Sequence, residues 1–412
     1  MTMPSGESAG TPTSAYAGSW RLAKSLGVGI GAASYGEGGP DEGQLYPVVG
    51  IFYGDLEMPS GLWNGLIDQN TTINVPTDQL TLENALSYLA DKYIASNVWV
   101  TIDIAAGTYT RTSRLTITHP CAQRIVIKGA VLSDKALLSI VSSSGSSGNW
   151  TIVLQLDSVA GIAAGDYVII RNVSGGSLPE YIAGVWPVSA VDSGTNRITV
   201  TTTHLGSSAP SGSVTGTVKT LKTKLQFNGA SGLYVCDCKL GLLNQLAIIG
   251  NGGSNTFGIQ ADLGNGTIQL GEDVGVRGFT VGALASDAAN LVANGCAFSG
   301  NGYGVYSIHG STVYAASAIC SGNSNTGAIV LGGGLLYGES GIFTGNIYGV
   351  QCQLNGTARV HSSKISGNTT GIYAYGHGYA HASGATFSNN TTNTWPALNT
   401  EGNKGALIDD GT

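Results

Sequence analysis

Short apolar runs alternate with Gly, Asn and Ser along the last third of this chain, and the alternation repeats. Gly300-Asn301, Gly322-Asn323, Gly345-Asn346 and Gly367-Asn368, then Asn389-Asn390, mark one register. A glycine follows each marker at Gly304, Gly327, Gly349 and Gly371. The ladder reaches back through Gly282 and Gly258, with steps of 24, 22, 23, 22 and 22. Three positions before each marker Asn stands Phe298, Cys320, Phe343, Ile365 or Phe387. A fixed period of this length signals stacked units that cannot bury their apolar side alone.

Within one unit Val305–Ile308, Thr312–Ala316 and Ala297-Phe298 each fit a strand of three to five residues. Helical repeats would need runs of Ala, Leu, Glu and Lys, and leucine-rich repeats a fixed Leu pattern. Neither is present. Three short strands per period predict an all-β fold, a right-handed single-stranded parallel β-helix. The marker Asn residues are expected at its corners, tolerating left-handed backbone angles and hydrogen-bonding to the equivalent Asn one coil away.

The rest of the chain departs from this period. Residues 1–74 are Gly-rich and aromatic without a repeat, and are expected to form an attachment or assembly segment rather than a catalytic domain. A helix is predicted over Thr81–Tyr93, capped by Thr81, with Leu82, Ala85, Leu86 and Leu89 on one stripe. It would close the open end of the β-helix within residues 75–130. Residues 131–228 read as a small, barrel-like antiparallel β insertion: Val159–Arg171, Gly184–Val191 and Arg197–Thr203 are strands, Ser142–Gly148 and Ser174–Glu180 linkers. The β-helix resumes over 229–395, and 396–412 reads as a tail.

The stretches Trp99–Tyr109 and Arg124–Gly129 resemble the first coils of the pectin-lyase-like β-helix superfamily. The insertion, with Gly165-Asp-Tyr-Val168 followed by Gly184-Val-Trp-Pro-Val188, is similar to those of bacteriophage tailspikes and tail fibres. That resemblance implies a homotrimeric virion component, made in the host cytoplasm, whose residues 1–74 dock on other tail or baseplate proteins. It identifies a fold well and a reaction poorly.

Composition narrows the partners. The net charge of −7, with only 18 Lys and Arg, argues against nucleic acid. With 63 Gly and 11 Pro the chain is too broken for a membrane span, and Met1 is not followed by a secretory signal pattern. Charged residues make up only 10%, which predicts that sister chains cover much of the surface. The six Cys read as free, small core fillers; no metal or other cofactor is expected.

Strand alternation then assigns faces. Val305, Ala328, Val350 and Ile372 should point inward; Tyr306, Ile329, Gln351 and Tyr373, with Ile308, Leu331, Gln353 and Tyr375, outward. This apolar outer row predicts a three-fold subunit interface, with a sugar-stacking surface as the alternative. On the next strand Val313, Leu336, Ala358 and Ala380 point in. Outside, Tyr314, Tyr337, Arg359 and His381 form a column, flanked by Glu339 and His361 on one side and Tyr379 on the other. Rings beside Arg, Glu and His suit a carbohydrate: rings cover sugar C–H faces while charged groups bind hydroxyls or carboxylates. Two functions follow. One is a receptor-binding protein for a bacterial surface polysaccharide, capsule or lipopolysaccharide, held by Tyr314, Tyr337, Arg359, Tyr379 and His381. The other is a depolymerase, hydrolase or lyase, with Glu339 and His361 as catalytic candidates. Hydrolysis needs paired carboxylates, and Glu339 has no acidic neighbour in its grid, although Glu272-Asp273 could supply one from a loop.

Overall fold

A computed structural model describes residues 28–31, 48–51 and 65–411, apart from 207, 265 and 402–404. The chain divides into two compact units: residues 1–68 with 88–95, and 69–87 with 96–412. In the first, the strands Val28–Gly31 and Val48–Ile51 pair antiparallel, and Gly65–Ile67 pairs parallel with Lys92–Ile94. Most of the expected attachment segment lies outside the described residues. Its last stretch does not: Thr71–Val75 pairs parallel with Val100–Ile104, so the β-helix begins before residue 75.

The second unit is a parallel β-helix with three sheets. Each coil visits them in the same order. Nine strands from Gly107–Arg111 to Thr386–Ser388 form what we call the barrel-side sheet. Nine from Leu115–Ile117 to Thr392–Trp395 form the middle sheet, and eleven from Thr71–Val75 to Leu407–Asp409 the long sheet. The 22-residue period is therefore one coil, as expected. Phe298, Cys320, Phe343, Ile365 and Phe387 stand in register, and the first four are fully buried. Val305, Ala328, Val350 and Ile372 form a second inward row, Val313, Leu336, Ala358 and Ala380 a third.

The corner chemistry is shared between two residues. Gly300, Gly322, Gly345 and Gly367 take the left-handed angle, with φ from 59° to 67°, and Asn389 does so at 56°. The Asn after each glycine does not; its side chain turns inward instead. Asn323 Oδ1 accepts the Asn301 backbone N–H at 3.0 Å, and Asn346, Asn368 and Asn390 repeat this on the coils before them at 2.9 Å. Each Nδ2 donates to a carbonyl near the start of the previous turn, as Asn346 does to Cys320 at 3.1 Å. The amide ladder thus satisfies buried corner N–H groups that β-pairing leaves over.

The helix runs over Leu82–Leu89, shorter than Thr81–Tyr93 because Lys92–Ile94 is already a strand. Thr81 Oγ1 accepts the Asn84 N–H at 3.2 Å, and Leu82, Ala85 and Leu89 are buried. Glu83 in its first turn pairs with Arg111, at the end of the barrel-side sheet's first strand.

The insertion is a closed six-stranded antiparallel barrel: Lys135–Ser146, Asn149–Leu156, Arg197–Thr202, Gly184–Asp192, Tyr167–Ser174 and Thr215–Leu221, in that order around it. The supposed linker 142–148 is the tip of its first hairpin, where Ser142 to Ser146 pair with Val153 to Asn149. Thr223–Phe227 has already rejoined the β-helix beside Gly107–Arg111. The barrel lies back on the barrel-side sheet rather than projecting from it. Its hydrophobic core includes Ala247, Ile249, Ala297 and Ile319 of that sheet. Val185 N–H donates to Ser299 Oγ at 3.1 Å, and Ser321 donates to the Ala183 carbonyl at 2.7 Å. The corner glycines make room for it: a Cβ on Gly322 would strike Thr203 and His204, on Gly345 His204, and on Gly367 Tyr181.

All six cysteines are free, and five are buried. Burial pushes the Cys352 thiol up to about 12 and the Cys238 thiol to about 11, which suits inert filling.

Candidate functional site

The long sheet is built from three-residue strands in its last coils, so each offers one inward side chain between two outward ones. Parallel register then makes columns. Tyr314, Tyr337, Arg359 and His381 are partners in sequence, as are Thr312, Leu335, Thr357 and Tyr379. Tyr314 and Tyr337 stack at 5.1 Å between centroids and 8° between planes. The Arg359 guanidinium lies 5.3 Å from the Tyr337 centroid, within cation–π range. Tyr314 and Arg359 are exposed, Tyr337 and His381 half-buried.

His361 joins the column from the flank: its ring meets His381 edge-on, at 4.2 Å and 80°. Glu339 sits one coil earlier and is half-buried. Coil stacking brings their backbones together through Ser340 N–H to the His361 carbonyl, at 2.8 Å. Their side chains form no hydrogen bond or ion pair with each other among the described residues. Glu272 and Asp273 are not partners for Glu339 either. Arg171 of the barrel holds both, Asp273 at 2.5 Å and Glu272 at 3.7 Å, and Lys219 lies 3.8 Å from Asp273.

Sequence reasoning missed one carboxylate. Leu407–Asp409, read as tail, is the last strand of the long sheet, and Asp409 caps the column next to His381. Asp409 Oδ2 accepts the Tyr379 hydroxyl at 2.8 Å and lies 3.8 Å from His381 Nε2. The Gly411 N–H, at 2.7 Å, and then the Tyr379 hydroxyl hold the Asp409 carboxyl below the usual carboxylate range. Burial, and then the bond to Asp409, push the Tyr379 phenol up. The signal was there in the alternation of Leu407-Ile408-Asp409. It was masked because Tyr379 and Asp409 are 30 residues apart, well over one period.

The column therefore has two ends. One is a pair of stacked rings; the other gathers Arg359, His361, His381, Tyr379 and Asp409. Glu339 and Asp409 stand three coil steps apart, about 14 Å at about 4.8 Å per step. Paired-carboxylate hydrolysis works across about 5–9.5 Å. These two acids cannot form that pair.

The middle sheet carries the other outward row. Tyr306, Ile329, Gln351, Tyr373 and Trp395 are in register, and Tyr373 stacks on Trp395 at 5.0 Å and 14°. Ile329 and Gln351 are already buried within one chain, Gln351 accepting a hydrogen bond from Thr326 at 3.1 Å.

The strand pairing itself defines the class: a parallel β-helix with an antiparallel barrel insertion. No protein-family model matches the chain, and no curated protein matches its sequence. Among solved structures, one described as "The complex structure of XylC with xylose" is similar over 79% of this chain and 70% of that one, at 8% identity and a TM-score of 0.26. So distant a likeness says nothing of what this chain binds.

Proposed function

We propose that this protein binds a bacterial surface polysaccharide, capsule or lipopolysaccharide, as the receptor-binding part of a virion tail fibre or tailspike. The observation that carries the reading is the exposed Tyr314–Tyr337 stack running directly into Arg359. The edges of the stacked rings, with the exposed Tyr314, offer apolar surface to a sugar, and the guanidinium beside them binds hydroxyls or carboxylates. His381, Tyr379 and Asp409 would orient the next residue of the glycan. In the assembled particle three chains would pack through the middle-sheet row, and residues 1–74 would dock on the tail.

Immobilised capsule or lipopolysaccharide from candidate hosts, titrated with purified protein, tests this. Tyr337→Ala and Arg359→Ala should each weaken binding about tenfold, in line with the loss of one stacking or charge-assisted contact. Binding unchanged in both variants would remove the strip from the account.

A depolymerase keeps one observation in its favour, the Asp409 carboxylate beside His381 and Tyr379 with Arg359 one coil away. β-Elimination needs a base next to a neutralised substrate carboxylate, and this cluster supplies both. Release of unsaturated oligosaccharides, lost in Asp409→Asn and His381→Ala, would favour cleavage; intact glycan would leave binding alone.

A further inference from the structure

Arg277 ends the strand Val274–Arg277, at the corner between the barrel-side and middle sheets, on a different side from the strip. Its guanidinium lies 5.0 Å from the ring of Trp186, which is fully buried and whose indole N–H is already given to the Ile182 carbonyl at 2.8 Å. The adjoining coil meets it at Gly300, where the smallest side chain would collide with Nη1. Platform and clearance thus fix the guanidinium in place.

What it lacks is a partner. Nη1 is buried without a hydrogen bond. Among the described residues no carboxylate lies within 4.0 Å of it, whereas Arg171, half-buried in the barrel, holds two. Burial pulls the Arg277 pKa below the usual guanidinium value, and the nearby Tyr167 phenol offsets only part of that. Leaving a partly desolvated cation uncompensated costs stability unless something else neutralises it.

The same group opens on a cleft of about 680 Å³. Its walls are backbone-rich, through Gly250, Gly252 and Gly278, with hydroxyls from Thr203, Thr280 and Ser324; no acidic residue lines it. The Gly252 and Gly278 N–H groups and the Thr203 and Thr280 hydroxyls already donate to main-chain carbonyls, so what this cleft turns toward an oxyanion is the Arg277 guanidinium with the Ser324 hydroxyl.

We propose that this cleft is an oxyanion-binding site in which Arg277 grips a carboxylate or phosphate group of the ligand. It goes beyond the polysaccharide strip and stands or falls without it. The full chain is titrated, at constant ionic strength, with sodium glucuronate, inorganic phosphate and glucose, reading tryptophan fluorescence and melting temperature. Glucuronate or phosphate should bind saturably and raise the melting temperature, as ligand linkage requires, while glucose does neither. Stronger binding of glucuronate assigns a carboxylate, of phosphate a phosphoryl group. Arg277→Gln should weaken the response at least about tenfold, the scale of a lost charge-assisted bond, and Arg277→Lys should retain part of it. Each variant is read against its own ligand-free melting temperature, since Arg277→Gln also gives up the contact with Trp186. Tyr337→Ala should leave the titration unchanged, so failure of the strip and of this site are told apart. Absence of saturable binding by either anion, or equal binding by Arg277→Gln, overturns the proposal.

Discussion

The side of the β-helix under the barrel and the long sheet's open side are built from the same coils, yet their outward rows differ. Under the barrel the row is Ala297, Ile319, Ile342, Lys364 and Thr386. Ala297 and Ile319 are buried in the barrel's core, Ile342 is half-covered, and Lys364 and Thr386 are exposed. Beside it Ser299 and Ser321 hydrogen-bond to each other and to the barrel. The row turns from apolar to charged toward the insertion's edge, where Lys364 lies 3.9 Å from Glu180. On the long sheet no barrel lands, and the row carries Tyr314, Tyr337, Arg359 and His381. Large rings there meet no covering segment of the second unit, which is why they remain candidates for a ligand. Small and hydroxylic positions mark where a chain closes on itself; rings and charges mark where it does not.

The comparison breaks most sharply at the glycines. Gly345 and Gly310 both have positive φ, 67° and 71°, but a Cβ would strike His204 at Gly345 and meet nothing within 4 Å at Gly310. Gly345→Ala should cost about 4 kcal/mol, strain plus displacement of the barrel, against about 1–2 kcal/mol for Gly310→Ala. Equal costs in urea unfolding would mean the barrel is not seated on that corner.

His204 offers a second test on the covered side. It lies between Trp150, stacked at 5.0 Å, and Tyr181 at 4.4 Å, with neither ring nitrogen hydrogen-bonded. Burial pulls its pKa from 6.5 to about 4. Unfolded, the ring takes up its proton near pH 6.5, folded only near 4, so the unfolded chain binds more protons between them. Stability from this group is fully present above pH 6.5 and falls by about 3 kcal/mol as the pH drops through that window. His204→Phe should flatten that part of the pH–stability curve; an unchanged slope would assign the acid loss elsewhere.

The open side should respond least. Tyr337→Ala, however much it weakens glycan binding, should shift the unfolding free energy by less than about 1 kcal/mol, because the ring is half-exposed and buries little core. A larger loss would make the stack a structural element rather than a platform.

Periodicity alone told that the coils stack, which residues point in and that Tyr337, Arg359 and His381 share a column, because each depends on neighbours one short period away. The same repeat predicted an Asn ladder but credited the Asn with the left-handed turn that the preceding glycine makes. The glycine's second role, admitting the barrel, depends on contacts such as Thr203 to the Gly322 carbonyl, 119 residues apart. Asp409 reaches the strip only after a lengthened return, and Arg277 is recognisable only by the partner it lacks. Local repetition writes itself into sequence; where two distant stretches meet, or fail to, is decided by closure of the whole fold, and only coordinates carry it.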